Sequence, residues 1–107
     1  MIDLTYSIAK QFGMHPGPRY RTQGPKSGEA LRAKLVRLLR EHPSNKIHVD
    51  LDGTSGFGSS FLDEAFGGLV RSEGFDESII DRFVFKSTVD PSYILEIKES
   101  IQRAQPN

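Results

Sequence analysis

The chain has 107 residues, 36% of them hydrophobic and 26% charged, which suits one domain with a modest core and is too short for two. Its 14 basic and 14 acidic side chains cancel, which argues against a generally basic nucleic-acid binder, and the absence of cysteine excludes disulfides and thiolate-held metals. No apolar run approaches the ~20 residues of a membrane span and no basic-then-apolar leader opens the chain, so a cytoplasmic protein is expected. The zero sum conceals an asymmetry: residues 1–48 hold nine Lys/Arg against three Asp/Glu, whereas residues 49–107 hold five against eleven. Two readings are open: neutralisation inside the fold, or faces of opposite sign that steer protein encounters.

In chain order, Ile2-Asp3-Leu4-Thr5-Tyr6-Ser7-Ile8 alternates apolar and polar, the pattern of a half-buried strand with Ile2, Leu4, Tyr6 and Ile8 inward. Prolines 16, 18 and 25 forbid a helix over the next segment and leave at most a short edge strand at Arg19–Thr22. Ser27 reads as an N-cap with Glu29 in the first turn, opening a helix to about Glu41 with Leu31, Leu35, Leu38 and Leu39 on one side. Its basic residues Arg32, Lys34, Arg37 and Arg40 fall mostly outside that stripe. Lys46 to Asp52 alternates again as a strand, and the Gly/Ser-rich run Gly53–Ser60 leads into a second helix with Phe61, Leu62, Ala65, Phe66, Leu69 and Val70 inward. Gly67 and Gly68 inside that helix cost about 2 kcal/mol together, so close backbone packing is expected there. Gly74 closes the helix, Asp76–Asp81 suggests a helical turn, and Arg82–Lys86 a strand. Asp90 as N-cap and Pro91 at the first position open a last helix with Ile94, Ile97 and Ile101 inward and a Glu99–Arg103 surface pair. Strands separated by helices predict a single α/β domain over residues 1–107, with a mixed, mostly parallel sheet of four to five strands and three to four helices.

The chemistry-bearing stretch is the loop between strand and helix. A loop entering a helix start collects anions on free amides. Yet the loop lacks a lysine and Walker spacing, and no G-x-S-x-G elbow is present. His15, His42 and His48 have no metal-ligand spacing, so no metal or cofactor is expected. Ser60 with Asp63 three positions on spells a capping box, the reading the residues favour, while Ser59 and Ser60 also admit a displayed phosphorylation site. Asp63 and Glu64 suit the positive end of a helix dipole; as neighbours on an ideal helix they would diverge, which argues against an acid pair. A serine nucleophile would have His48 as its one candidate base.

The run Val49-Asp50-Leu51-Asp52-Gly53-Thr54, followed by Gly58-Ser59-Ser60-Phe61-Leu62-Asp63-Glu64-Ala65-Phe66-Gly67-Gly68-Leu69, resembles the bacterial STAS-like domain family of unknown function. Pro16-Gly17-Pro18-Arg19-Tyr20-Arg21 and Gly24-Pro25-Lys26-Ser27-Gly28-Glu29-Ala30-Leu31-Arg32 share the resemblance. It implies a STAS-like fold related to anti-sigma factor antagonists, which present a loop serine to a GHKL-type ATPase or kinase that phosphorylates it and is thereby released. Carried onto this chain, the resemblance puts the phosphoacceptor at Ser59 with Ser60 next. The sequence departs from the antagonists at Gly58, where they have Asp, and at Phe61, where they have Gly.

The expectation is therefore a regulatory protein-binding module without enzymatic activity. Its surface would be the Gly53–Ser60 loop and following helix together with Arg19, Arg21, Ser27, Glu29 and Arg32. Asp63, Glu64, Arg19 and Arg32 are expected to form a charged network beside the loop, either for binding or to lock its shape. The alternative is a small-ligand or nucleotide-binding domain with the loop as anion cradle and Arg19 or Arg21 as counter-charge.

Overall fold

The computed structural model describes residues 3–105. Three strands, β1 (Leu4–Ser7), β2 (Ile47–Asp50) and β3 (Phe83–Lys86), form one parallel sheet in the order β1-β2-β3. Leu4 pairs with Ile47 and Ile47 with Phe83, so Tyr6, Val49 and Phe85 lie in one row across the sheet. That register puts Leu4, Tyr6, Ile47, Val49, Phe83 and Phe85 on one face, which the helices bury. The other face, with Thr5, His48, Asp50, Val84 and Lys86, borders an open hollow. Parallel sheets usually lack such polar alternation because both their faces are covered; here no helix among the described residues covers the second face. The inward assignment of Ile2 lies outside the described residues.

Three main helices cover the buried face, together with the short π turn Ile8–Phe12 that follows β1. The first, α1 (Gly28–Glu41), is capped by the buried Ser27, whose hydroxyl accepts the Ala30 N–H at 3.1 Å. The second runs over residues 59–71 as α2 (Ser59–Leu62), a π turn at Asp63–Gly67 and α3 (Gly68–Arg71), which we call the central helix. In the π turn the Gly68 N–H donates to the Asp63 carbonyl, five residues back rather than four. The last, α4 (Ser92–Arg103), opens at Asp90, whose carboxylate accepts the Ser92 N–H at 3.0 Å, with Pro91 already in helical conformation. Phe66 of the central helix meets the rings of Phe83 and Phe85 at 5.7 and 5.6 Å, fixing this helix on the sheet.

The interior glycines behave as expected. A Cβ on Gly67 would stand 3.1 Å from the Ser100 carbonyl of α4, and one on Gly68 would stand 2.8 Å from the Arg32 guanidinium of α1. Gly74, at φ +81°, ends the central helix.

Three expectations are corrected. The sheet has three strands among the described residues, not four to five, because Arg19–Thr22 forms no edge strand. Prolines remove donors there, Arg21–Gln23 closes into a 3₁₀ turn, and the Pro18 and Arg19 carbonyls are taken by the Gly28 and Glu29 N–H groups at 2.9 Å each. The capping box at Ser60 does not form: the N-cap is Gly58, two residues earlier, with no side-chain cap. Arg103 turns to Asp63, at 3.6 Å, instead of pairing with Glu99.

Tyr6 is buried on β1, and its hydroxyl has no hydrogen-bond partner among the described residues. A phenol held in that state loses its hydration without compensation. Tyr6→Phe is therefore expected to keep or raise the thermal midpoint, by up to about 1 kcal/mol in stability; a clear loss on calorimetry would show that the hydroxyl has a partner.

Candidate functional site

The loop after β2 crosses the carboxyl end of the sheet, the edge at which open α/β sheets most often bind. Gly53 and Gly56, at φ +93° and +118°, supply its left-handed positions. Its backbone is pinned at successive points. Ser55 N–H donates to the Met14 carbonyl at 2.8 Å, Gly56 N–H to Thr54 Oγ1 at 3.2 Å, and Phe57 N–H to the Tyr93 hydroxyl at 3.4 Å. Asp52 ties the loop to the segment after β3: its carboxylate accepts from Thr88 Oγ1 at 2.7 Å, Thr88 N–H at 2.9 Å and Val89 N–H at 3.2 Å. Those bonds, the Thr88 side chain foremost, hold the Asp52 carboxyl below its usual range. The cleft between loop and segment measures about 100 Å³ and is lined by Gly53–Gly56, Val89 and Tyr93 among others.

Beyond the loop, Gly58, Ser59 and Ser60 are exposed. The Ser59 hydroxyl donates to Glu96 Oε1 of α4 at 2.7 Å, at the rim of a hollow that Glu99, Ser100 and Arg103 also line. His48 is on the open face of the sheet, hydrogen-bonded to Asp3 at 3.0 Å, so it does not serve either serine as a base. Among the described residues no three His, Asp or Glu side chains gather as a metal site.

One turn further, Asp63 and Glu64 converge on the same guanidiniums. Arg19 Nη1 lies 2.7 Å from Asp63 and 3.2 Å from Glu64, and Arg71 Nη2 lies 3.4 and 3.2 Å from the same pair. Arg32 adds a short contact to the second Glu64 oxygen and reaches Glu73 at 3.1 Å. The divergence expected of neighbouring helix residues does not keep these carboxylates apart. Long arginine side chains bridge them where the π turn departs from ideal helix geometry.

Of the sequence-expected site residues, the structure thus unites Arg19, Arg32, Asp63 and Glu64. Ser27 and Glu29 belong instead to the start of α1: Ser27 is its cap, and Glu29 accepts the Arg21 backbone N–H at 2.8 Å while the Arg21 side chain stays in solvent. Sequence reading missed Arg71, Glu73, Glu96 and Arg103. Arg71 was findable, since residues two turns apart share a helix face with Glu64. Arg103 and Glu96 come from a distant segment, and no local pattern marks them.

Burial pushes the Asp63 carboxyl up, but the hydrogen bond from Arg19 and the charges of Arg71, Arg19 and Arg103 outweigh it, and the group settles below its ordinary value of 3.8. A carboxyl depressed in the fold stabilises it above the unfolded pKa, and that contribution is lost as pH falls through the folded value. Stability should therefore decline below about pH 4, and Asp63→Asn should flatten that decline in urea titrations at successive pH values. An unchanged acid slope in the variant would show that Asp63 is not among the groups responsible.

No curated protein and no solved structure matches the chain. A family model described as a STAS-like domain of unknown function matches residues 27–93, from the cap of α1 to the start of α4. The Pro16–Arg21 part of the resemblance lies outside the match. The matched span is well over half of the chain and contains β2, the pinned loop, the central helix and β3 in order, and the chain therefore belongs to the family of STAS-like domains of unknown function.

Proposed function

We propose that this domain is a non-enzymatic regulatory module that binds a partner protein with the Gly53–Ser60 loop and the start of the central helix. The observation that carries the reading is the surface around that loop. Met14, whose carbonyl holds Ser55, is 59% exposed, and Val89, which shares a cleft with Gly53–Gly56, is 82% exposed. Exposed apolar side chains beside a loop already fixed in shape favour binding, because less order must be acquired on association. The arginine–carboxylate network then acts as the lock of the loop's following helix, not as the contact surface, since its carboxylates are occupied. The partner class that the family resemblance suggests is a GHKL-type ATPase or kinase, with Ser59 or Ser60 as phosphoacceptor. Phosphate on Ser59 would replace its bond to Glu96 by repulsion from Glu96, with Arg103 as the cation in that hollow. That exchange would loosen the start of the central helix from α4.

The test is capture from native cells with the wild-type chain and with Val89→Asp or Met14→Asp, followed by peptide mapping after incubation with ATP. A partner retained by the wild type and lost by both variants supports the reading; a partner indifferent to both sinks it. Nucleotide binding at the loop finds no such support: its cleft is below the ~300 Å³ of ordinary ligand pockets, and the amides of residues 55–57 are already bonded.

A further inference from the structure

A hollow of about 390 Å³ lies at the opposite end of the sheet, beside the start of β3. Its apolar lining comes from Ile80, in the 3₁₀ turn Glu77–Arg82, and from the buried Phe83 and Ile101. Around it stand Lys46, Asp81, Lys98 and Gln102, one each from the approach to β2 and from the 3₁₀ turn, and two from the last turns of α4. None of these four side chains makes a hydrogen bond or close ion pair among the described residues, although Lys46 acts on Asp3 at longer range.

Asp63 and Glu64 spend their charges on arginines. Here two ammoniums and a carboxylate share one concave surface without pairing, over an apolar patch. A simple anion would suit the lysines but meet Asp81, and a simple cation would suit Asp81 but meet both lysines. A molecule with both signs a few ångströms apart and an apolar body satisfies all of them. The volume is at the lower end of the range that takes small ligands. We propose that this hollow binds a small apolar α-amino acid as its zwitterion, the carboxylate toward Lys46 and Lys98, the ammonium toward Asp81, and the side chain on Ile80 and Phe83.

The site is remote from the Gly53–Ser60 loop and stands independently of partner binding there. The experiment is an amide NMR titration of the full chain with L-leucine, N-acetyl-L-leucine and L-leucinamide. Leucine is expected to give saturable shifts in residues 80–83 and 98–102, with each blocked derivative at least about tenfold weaker. Lys98→Met and Asp81→Asn, both at exposed positions, should each weaken leucine about tenfold without moving the thermal midpoint. No saturable shift up to about 10 mM leucine would overturn the proposal. So would acetyl-leucine or leucinamide binding as well as leucine, which would reduce the hollow to a reader of one charge, as for a chain end.

Discussion

Glu64→Ala is expected to cost about 3–5 kcal/mol in urea unfolding, a large part of the roughly 5–15 kcal/mol of a domain this size. Glu64 is 4% exposed and accepts from Arg19, Arg32 and Arg71 at once. Its removal strands the Arg32 guanidinium, whose side chain is 12% exposed and left with Glu73 alone. Most of the penalty is that of an uncompensated charge, not the worth of the original pairs. The double variant Glu64→Leu with Arg32→Leu should therefore be more stable than Glu64→Ala alone. If Glu64→Ala costs under about 1 kcal/mol, the network is a surface ornament and the lock assigned to it fails.

Gly28→Ala should cost about 3 kcal/mol, although alanine is the better helix former by about 1 kcal/mol. Gly28 is the first residue of α1, and a Cβ there would sit 2.4 Å from the Phe61 carbonyl oxygen and 3.0 Å from Glu64 Cβ. The obstacle is backbone, which cannot swing aside, so α1 must move from the central helix and carry Arg32 with it. Gly58→Ala is the matching control: a Cβ at that position meets nothing within 4 Å, so only the weaker N-cap is felt, at most about 1 kcal/mol. Denaturant midpoints of the two variants compare a close approach with an open loop. Equal midpoints would mean that the two helices are not held at this distance in solution.

The parts of the fold that were legible are those specified by neighbours in sequence. The leucine stripe and Ser27 announced α1, Asp90-Pro91 announced α4, and period-two alternation announced β1 and β2. Gly67 and Gly68 foretold tight packing without saying against what; Ser100 and Arg32 answer that. The π turn left no pattern, because inserting one residue changes the hydrogen-bond register while Phe61, Leu62, Ala65, Phe66, Leu69 and Val70 still face inward. Arg19–Thr22, read as at most a short edge strand, overlaps the 3₁₀ turn Arg21–Gln23 instead, because so short a run carries too little periodicity to decide. At the site, Arg19, Arg32, Asp63 and Glu64 were legible as charges of opposite sign near one loop. Two of the four guanidiniums around Asp63 and Glu64 are Arg71 and Arg103, and only the packing of the central helix against α4 brings Arg103 to Asp63.

The family match runs from residue 27 to 93, yet several of the molecule's fastenings lie outside those limits. Arg19 reaches in from upstream, and the Pro18 and Arg19 carbonyls occupy the first two amides of α1. Downstream, Ile97 and Ile101 of α4 are buried against the core, and Arg103 closes the far side of Asp63. A chain cut to the recognisable span would lose two of its four clasping guanidiniums and bare a whole flank of the central helix. The span that marks the family is thus shorter than the set of segments that grip the central helix, and protein made for any binding assay should keep Arg19 and the whole of α4.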